Sequence, residues 1–168
     1  HFVQNYWFVS LLAITAIAIG IKYALKKPKV RFWWDAKVLH MPGIGKVARG
    51  INTARFARTL SILSSSSVPL LEGMRISGGV LVNEKIKQAV ADAAERVSEG
   101  ASLRASLQQT KLFPPMMLHM IASGEKSGEL EQMLERAANN QDREFESMVN
   151  VSLKLLEPAM IASMAVIV

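Results

Sequence analysis

Cysteine is absent from this sequence of 168 residues. That excludes a disulfide framework, a thiol nucleophile and any thiolate metal site. Histidine occurs three times, too few for a histidine-rich metal centre. The sequence has no G-x-x-x-x-G-K-[ST] stretch, and no strand pattern leads into G-x-G-x-x-G. Its one G-x-G, Gly43-Ile44-Gly45, precedes a helix pattern and lacks the third glycine. Sustained period-two alternation rich in β-branched or aromatic residues is also missing. The length suits one domain of ordinary size plus a short extra element. The expected fold class is all-α, with no catalytic set, no metal site and no cofactor.

Charge is missing from both ends. From Phe2 to Ile21 there is no charged side chain. About 20 apolar residues at 1.5 Å rise match a hydrocarbon core of roughly 30 Å. Tyr6, Trp7 and Tyr23 suit the water–lipid interface, and Lys22 can snorkel outward. A cleaved signal peptide fits less well, because no basic segment precedes the run and no small-residue cleavage site follows. Residues 1–27 therefore read as a transmembrane helix ended by Pro28. Lys22, Lys26, Lys27, Lys29, Arg31 and Lys37 follow the run and only His1 precedes it. By the positive-inside rule the N-terminus lies outside and the rest in the cytoplasm. Pro158 to Val168 is again apolar and charge-free, so residues 155–168 read as the start of a further, truncated transmembrane helix. The alternative there is a C-terminal core helix. With a first residue other than Met, the chain reads as a piece of a longer one.

Between the ends, helix punctuation is abundant. Residues 28–43 carry Phe32, Trp33, Trp34, Val38 and Leu39 among Arg31, Asp35 and Lys37. This is either an amphipathic piece lying on the membrane surface or a linker whose tryptophans pack on the domain. Pro42, Gly43 and Gly45 break it. Residues 44–154 read as a cytoplasmic bundle domain of six helices. The first runs from Ile44 to Ser65, with Val47, Ile51 and Ala54 on one face and Phe56, Leu60 and Leu63 on nearly the opposite one. The serine run Ser64 to Ser67 ends it, and Pro69 opens the second helix at its first position. Asn83 caps the third, with Ile86, Val90, Ala94 and Val97 as its stripe and Gly100 as its stop. Ser102 caps a short fourth helix. Pro114 and Pro115 begin a fifth that stops at Gly124. The sixth starts near Gly128, and its stripe is Leu130, Leu134, Ala137, Gln141, Phe145, Met148, Ser152 and Leu155. No breaker precedes Glu157-Pro158, where a kink is tolerated. Short connections make this a six-helix antiparallel bundle flanked by transmembrane helices.

Chemistry-bearing pairs are few. His119 and Glu125 are close enough in sequence to meet as an acid–base pair, but His119 sits in a Met-rich helix with no orienting partner. The nine methionines read as core filler more readily than as an adaptable binding surface. Charge distribution says more. Residues 1–84 hold eleven Lys and Arg against three Asp and Glu, and residues 85–168 hold nine against eleven. The net charge of +6 is thus juxtamembrane, which reads as topology and anionic-lipid attraction rather than nucleic-acid binding. The sixth helix is acidic. Glu131, Glu135, Asp142 and Glu146 on it are either a docking face for a basic partner or a solvated face. Arg58 shares an angular face with Val47, Ile51 and Ala54, so it needs an acidic partner; Glu72 and Glu125 are the candidates.

Several segments in order carry a resemblance. They are Met41-Pro42-Gly43-Ile44-Gly45, Ala54-Arg55-Phe56-Ala57-Arg58-Thr59-Leu60, Val68-Pro69-Leu70-Leu71-Glu72-Gly73, Gly100-Ala101-Ser102-Leu103, Phe113-Pro114-Pro115-Met116, Ser123-Gly124-Glu125-Lys126-Ser127-Gly128-Glu129-Leu130 and Leu156-Glu157-Pro158. Together they resemble the general secretion pathway protein F family, the inner-membrane platform of type II secretion and type IV pilus assembly. One departure is the serine run before Val68-Pro69, where the family usually has a small residue, often glycine. The resemblance implies a non-enzymatic, multi-pass protein of the bacterial inner membrane that forms homo-oligomers and binds no nucleic acid. This piece would hold the second of two cytoplasmic domains. Its partners would be the cytoplasmic assembly ATPase, other inner-membrane assembly components, pilin-like subunits and the lipid bilayer, with ATP-driven motion passed on to pilin polymerisation. The competing reading is a generic membrane-anchored signalling or adaptor domain. Within the resemblance, Gly124, Glu125, Ser127 and Gly128 are expected to build the reversal between the fifth and sixth helices, Glu125 binding amides at the sixth helix's start or pairing with Arg55 or Arg58. Phe56, Pro69, Gly100, Pro114, Glu157 and Pro158 are the other motif positions.

Overall fold

The computed structural model describes the backbone of residues 2–24 and 26–167, with side chains described for residues 11–23, 26–158 and 160–164. The described residues form helices α1 (Phe2–Ala24), α2 (Pro28–His40), α3 (Ile44–Ser65), α4 (Leu70–Gly79), α5 (Glu84–Ser98), α6 (Leu103–Gln109), α7 (Pro115–Ser127) and α8 (Leu130–Ile167), with no strand among them. The protein is all-helical. Most boundaries follow from local chemistry. The Asn83 carboxamide oxygen accepts from the amides of Lys85 and Ile86 at the start of α5, and the Ser102 hydroxyl accepts from Ala105 at the start of α6. Each such cap is worth about 1 kcal/mol. Gly100 takes φ +101° just past α5, a conformation that costs glycine no steric penalty. Pro69 and Pro114 sit at the N-caps of α4 and α7, where a missing N–H costs nothing.

Pro28 stands past the end of α1, in the first turn of α2, with Lys27 as N-cap. One boundary differs from the punctuation. α7 does not stop at Gly124 but continues to Ser127, ending at Gly128 in the left-handed conformation, φ +77°. A glycine inside a helix and a glycine that ends one look alike in sequence; their neighbours in space separate them, as the crossing with α8 shows below.

Packing closes the helices into a ring. Each of α3 to α8 packs on the next, and α8 returns to pack along α3, its most extensive contact, while α2 lies on α3 and α5. Inside sit Phe56, Leu60, Met74, Ile86, Leu103, Leu107, Ile121 and Leu134, all fully buried. Burying each of these side chains stabilises the fold by roughly 1.5–3 kcal/mol. Phe56 meets Phe113 edge-on, ring centroids 5.5 Å apart at 73°, a geometry that aligns one ring's positive edge with the other's negative face. On α3 the face with Phe56 and Leu60 is the core face. The face with Val47, Ile51 and Ala54 borders α8, and Ile51 remains exposed.

Asn52 is the ring's internal tie. It is 6% exposed, donates to the Ala48 carbonyl and accepts from the amides of Val82 and Asn83. It thereby holds the α4–α5 turn against α3. Asp35 of α2 accepts from the amide of Glu84 at 2.9 Å, and Asn83 donates to the Asp35 carbonyl. α2 is thus bolted to the start of α5 and anchored by buried Leu39. Trp33 and Trp34 do not pack on the domain, being 57% and 51% exposed, which removes the packed-linker reading.

Among the described residues no helix is long and apolar enough to cross a membrane. The expected transmembrane helices at residues 1–27 and 155–168 reach into residues whose side chains lie outside those described. Tyr6 and Trp7, assigned to the interface, lie outside the described side chains. The described side chains of Leu11 to Tyr23 and of Asp142 to Met164 are all exposed, large apolar ones included.

One local strain explains the serine departure. Ser67, just before Val68-Pro69, has φ +62°, the left-handed region that glycine occupies freely. Replacing Ser67 by Gly relieves about 1–2 kcal/mol of strain and gives back about 0.4–1 kcal/mol through the unfolded chain's entropy. The S67G protein should therefore melt about 1–3 °C higher in a thermal unfolding scan; a lower Tm would mean that the serine makes a contact that outweighs its backbone strain.

Candidate functional site

The segment Ser123 to Leu130 builds a helix reversal, and each polar residue in it has a structural task. Gly128 ends α7 in the left-handed conformation, while the Ser127 hydroxyl accepts from the Glu129 amide at 3.3 Å. Gly124 is buried one turn earlier. A Cβ there would lie 2.7 Å from Leu130 Cα and 3.0 Å from Met133 Cβ. Its missing side chain is what lets α7 and α8 cross backbone to backbone.

Glu125 reaches a third helix. Its carboxylate accepts from the amides of Leu103 at 2.6 Å and Arg104 at 3.1 Å. These are the first two amides of α6, and Ser102 takes that of Ala105. Together they satisfy three of the four N–H groups that a helix start leaves open, with a negative charge at the positive end of the helix. The expected partners were amides of the last helix, or Arg55 or Arg58. The carboxylate goes to α6 because α6 and α8 both pack on α7, and residue 125 of α7 faces the α6 side. Among the described residues no hydrogen bond joins His119, which is exposed, to Glu125.

Arg58 spans the seam between α3 and α8. Its Nη2 donates to Asp142 Oδ2 at 2.5 Å and to Asn139 Oδ1 at 2.8 Å. Neither Glu72 nor Glu125 is its partner: Glu125 is turned to the start of α6, and Asp142 of α8 supplies the carboxylate instead. Both side chains are about half exposed, so the pair is worth at most ~1 kcal/mol and mainly sets the register of α8 on α3. Ser61 adds a second link, its hydroxyl donating to the Glu131 carbonyl at 3.1 Å. Arg55 points the other way, its Nη1 lying 3.5 Å from the Val80 carbonyl oxygen.

Glu131, Glu135, Asp142 and Glu146 are all exposed. At 100° per residue they fall within about 60° of one another on α8, so they form one acidic stripe of which Asp142 is engaged by Arg58. Helix α8 continues through Glu157 and Pro158 without a break, although Pro158 cannot donate to the carbonyl of Lys154. Asn52 and Ser61 are the important polar residues that carried no sequence signal. Each looks like an ordinary solvated side chain until its partners 30 or 70 positions away are known.

What these residues define is a helical scaffold: buried and bonded side chains whose shared effect is to fix the angle and register of one long helix on a closed ring. The chain belongs to the family described as Type II secretion system (T2SS), protein F, whose model matches residues 56–168. It is similar to Type II secretion system protein F of Vibrio cholerae, 57% identical over 162 residues, 96% of this chain and 40% of that protein. To the protein of the same name from Aeromonas hydrophila it is 57% identical over 167 residues, 98% and 42%. It also resembles Type IV pilus assembly protein PilC of Myxococcus xanthus, 31% identical over 160 residues, 95% and 38%. The chain spans about two fifths of the length of these curated relatives.

Two stability measurements check the scaffold. Glu125→Ala leaves two amides of α6 without their charged acceptor and should cost about 2–3 kcal/mol, read as a lower urea midpoint at unchanged slope. A double-mutant cycle on Arg58 and Asp142 should return a coupling of no more than ~1 kcal/mol. A larger coupling would mark the pair as a main strut rather than a register pin.

Proposed function

We propose that this chain is the second cytoplasmic domain, residues 44–154, and the adjoining helices of a platform protein in a bacterial inner-membrane assembly machine for type II secretion or a type IV pilus. The observation that carries this reading is family membership over two thirds of the chain and resemblance to both kinds of relative over nearly all of it. The physical design agrees. A scaffold that relays displacement needs a rigid body joined to a rigid lever. The closed ring is the body, and α8, 38 residues long and so roughly 57 Å, is the lever. The exposed apolar ends of α1 and α8 are where the chain meets lipid. The basic residues between Lys22 and Lys37 hold the bundle on the cytoplasmic side.

In this reading the protein does no chemistry. The cytoplasmic assembly ATPase engages the bundle, with Glu131, Glu135 and Glu146 offering a charged face to basic residues of that partner. The displacement then passes along α8 to pilin-like subunits. The whole protein is multi-pass and works as a homo-oligomer with other inner-membrane components. Membrane extracts of cells carrying the tagged full-length protein test the proposal. The assembly ATPase should co-purify, and reversing Glu131, Glu135 and Glu146 to Lys should lower its recovery by about tenfold or more. Recovery unchanged by the reversals would overturn the docking face; no ATPase with the unmodified protein would overturn the platform reading.

A further inference from the structure

Between the start of α3, the α6–α7 connection and α8 the ring leaves a cleft of about 630 Å³ on its outside. Its polar wall is Lys46, Arg49 and Lys111; Gln141, Phe145 and Met148 of α8 form the other side. One carboxylate, Glu144, shares the cleft and already accepts from Gln141 Nε2 at 3.2 Å. Three cations therefore face one acid that has a partner.

Three further observations bear on what fits there. Lys111 stands just past α6 in the left-handed conformation, φ +56°, which ends that helix and turns the chain into the wall of the cleft. On α8, Gln141, Phe145, Met148, Ser152 and Leu155 recur in steps of three and four, so they share one face. That face is buried at Gln141 and exposed from Phe145 onward. It is a track that leaves the cleft and runs along the apolar end of the helix. From Phe145 to Leu155 it covers about 15 Å, half the thickness of a bilayer's hydrocarbon core. Finally, the Arg49 guanidinium lies 3.5 Å from the Leu39 carbonyl oxygen, which puts the cleft beside α2. That helix exposes Trp33 and Trp34, side chains that favour the water–lipid interface.

We infer that this cleft binds one anionic glycerophospholipid, its phosphate held by Lys46, Arg49 and Lys111 and an acyl chain laid along Phe145, Met148 and Leu155. A head group with net negative charge matches the excess of cations, and an acyl chain matches the exposed apolar track, which an acidic peptide would leave uncovered. The bound lipid would fill the seam between α3, the α6–α7 connection and α8, making the angle of the long helix responsive to membrane composition. This inference rests on the membrane setting proposed above.

Native mass spectrometry of the full-length protein in detergent, titrated with dioleoylphosphatidylglycerol or dioleoylphosphatidylcholine, tests it. The protein should retain the anionic lipid and not the zwitterionic one. The double variant K46E/K111E should weaken that retention at least about tenfold. R75E/K126E makes the same charge change at exposed positions outside the cleft and should move it less than about twofold. F145S, which breaks the apolar track while keeping the cations, should also weaken it. Equal loss from both double variants, equal retention of the two lipids, or tighter binding of polyglutamate than of phosphatidylglycerol would overturn the inference. ATPase recovery separates the two ideas: intact recovery with K46E/K111E beside unchanged lipid retention removes the lipid site alone, whereas no recovery with the unmodified protein beside its specific retention of the anionic lipid removes the platform reading alone.

Discussion

The crossing of α7 and α8 at Gly124 is the constraint on which the rest of the bundle depends. With a Cβ at that position 2.7 Å from the backbone of Leu130, the two helices cannot meet at this angle, and α8 cannot lie along α3. Everything that closes the ring follows from that approach. Leu134, Ala137 and Ala138 are buried because α8 lies in the seam. Ser61 finds the Glu131 carbonyl, and Arg58 finds Asp142, because the register of α8 is already set. Small side chains do the positioning, and the ion pair refines it with a contribution that solvent keeps small.

Glu125 extends this constraint to a third helix. It stands one residue beyond the crossing, and its carboxylate closes the start of α6. A seven-residue helix is marginal on its own, because nucleation is costly and few bonds repay it. The motif Ser123-Gly124-Glu125-Lys126-Ser127-Gly128 therefore serves three purposes in six residues: close approach, tertiary helix capping and chain reversal. Its glycines and its carboxylate are accounted for by the geometry of the reversal.

Local chemistry was legible in the sequence and tertiary chemistry was not. The limits of α3, and the caps at Asn83 and Ser102, rest on interactions within a few residues, and the structure has them where the punctuation puts them. The same is true of the reversal at Gly128. The partners of Arg58 and Glu125, and the tie made by Asn52, join residues more than 20 positions apart, and charge or polarity alone does not select among many such candidates. Gly124 was read as a stop because its reason for being glycine lies on another helix. The flanking spans expected from apolar composition extend past the described side chains, into residues 1–10 and 165–168. What composition did identify is exposed apolar surface at both ends of the chain.

A scaffold that passes displacement along one helix must hold that helix as part of a single cooperative unit. Native-state amide hydrogen exchange reads this most directly. The account predicts that the amides of α8 between Leu134 and Gln141 exchange only through the same global opening as those of α3 between Phe56 and Leu60, with equal opening free energies. Exchange of that stretch of α8 through a separate, lower-energy opening while α3 stays protected would contradict it, because a lever that detaches from its ring carries no motion across it.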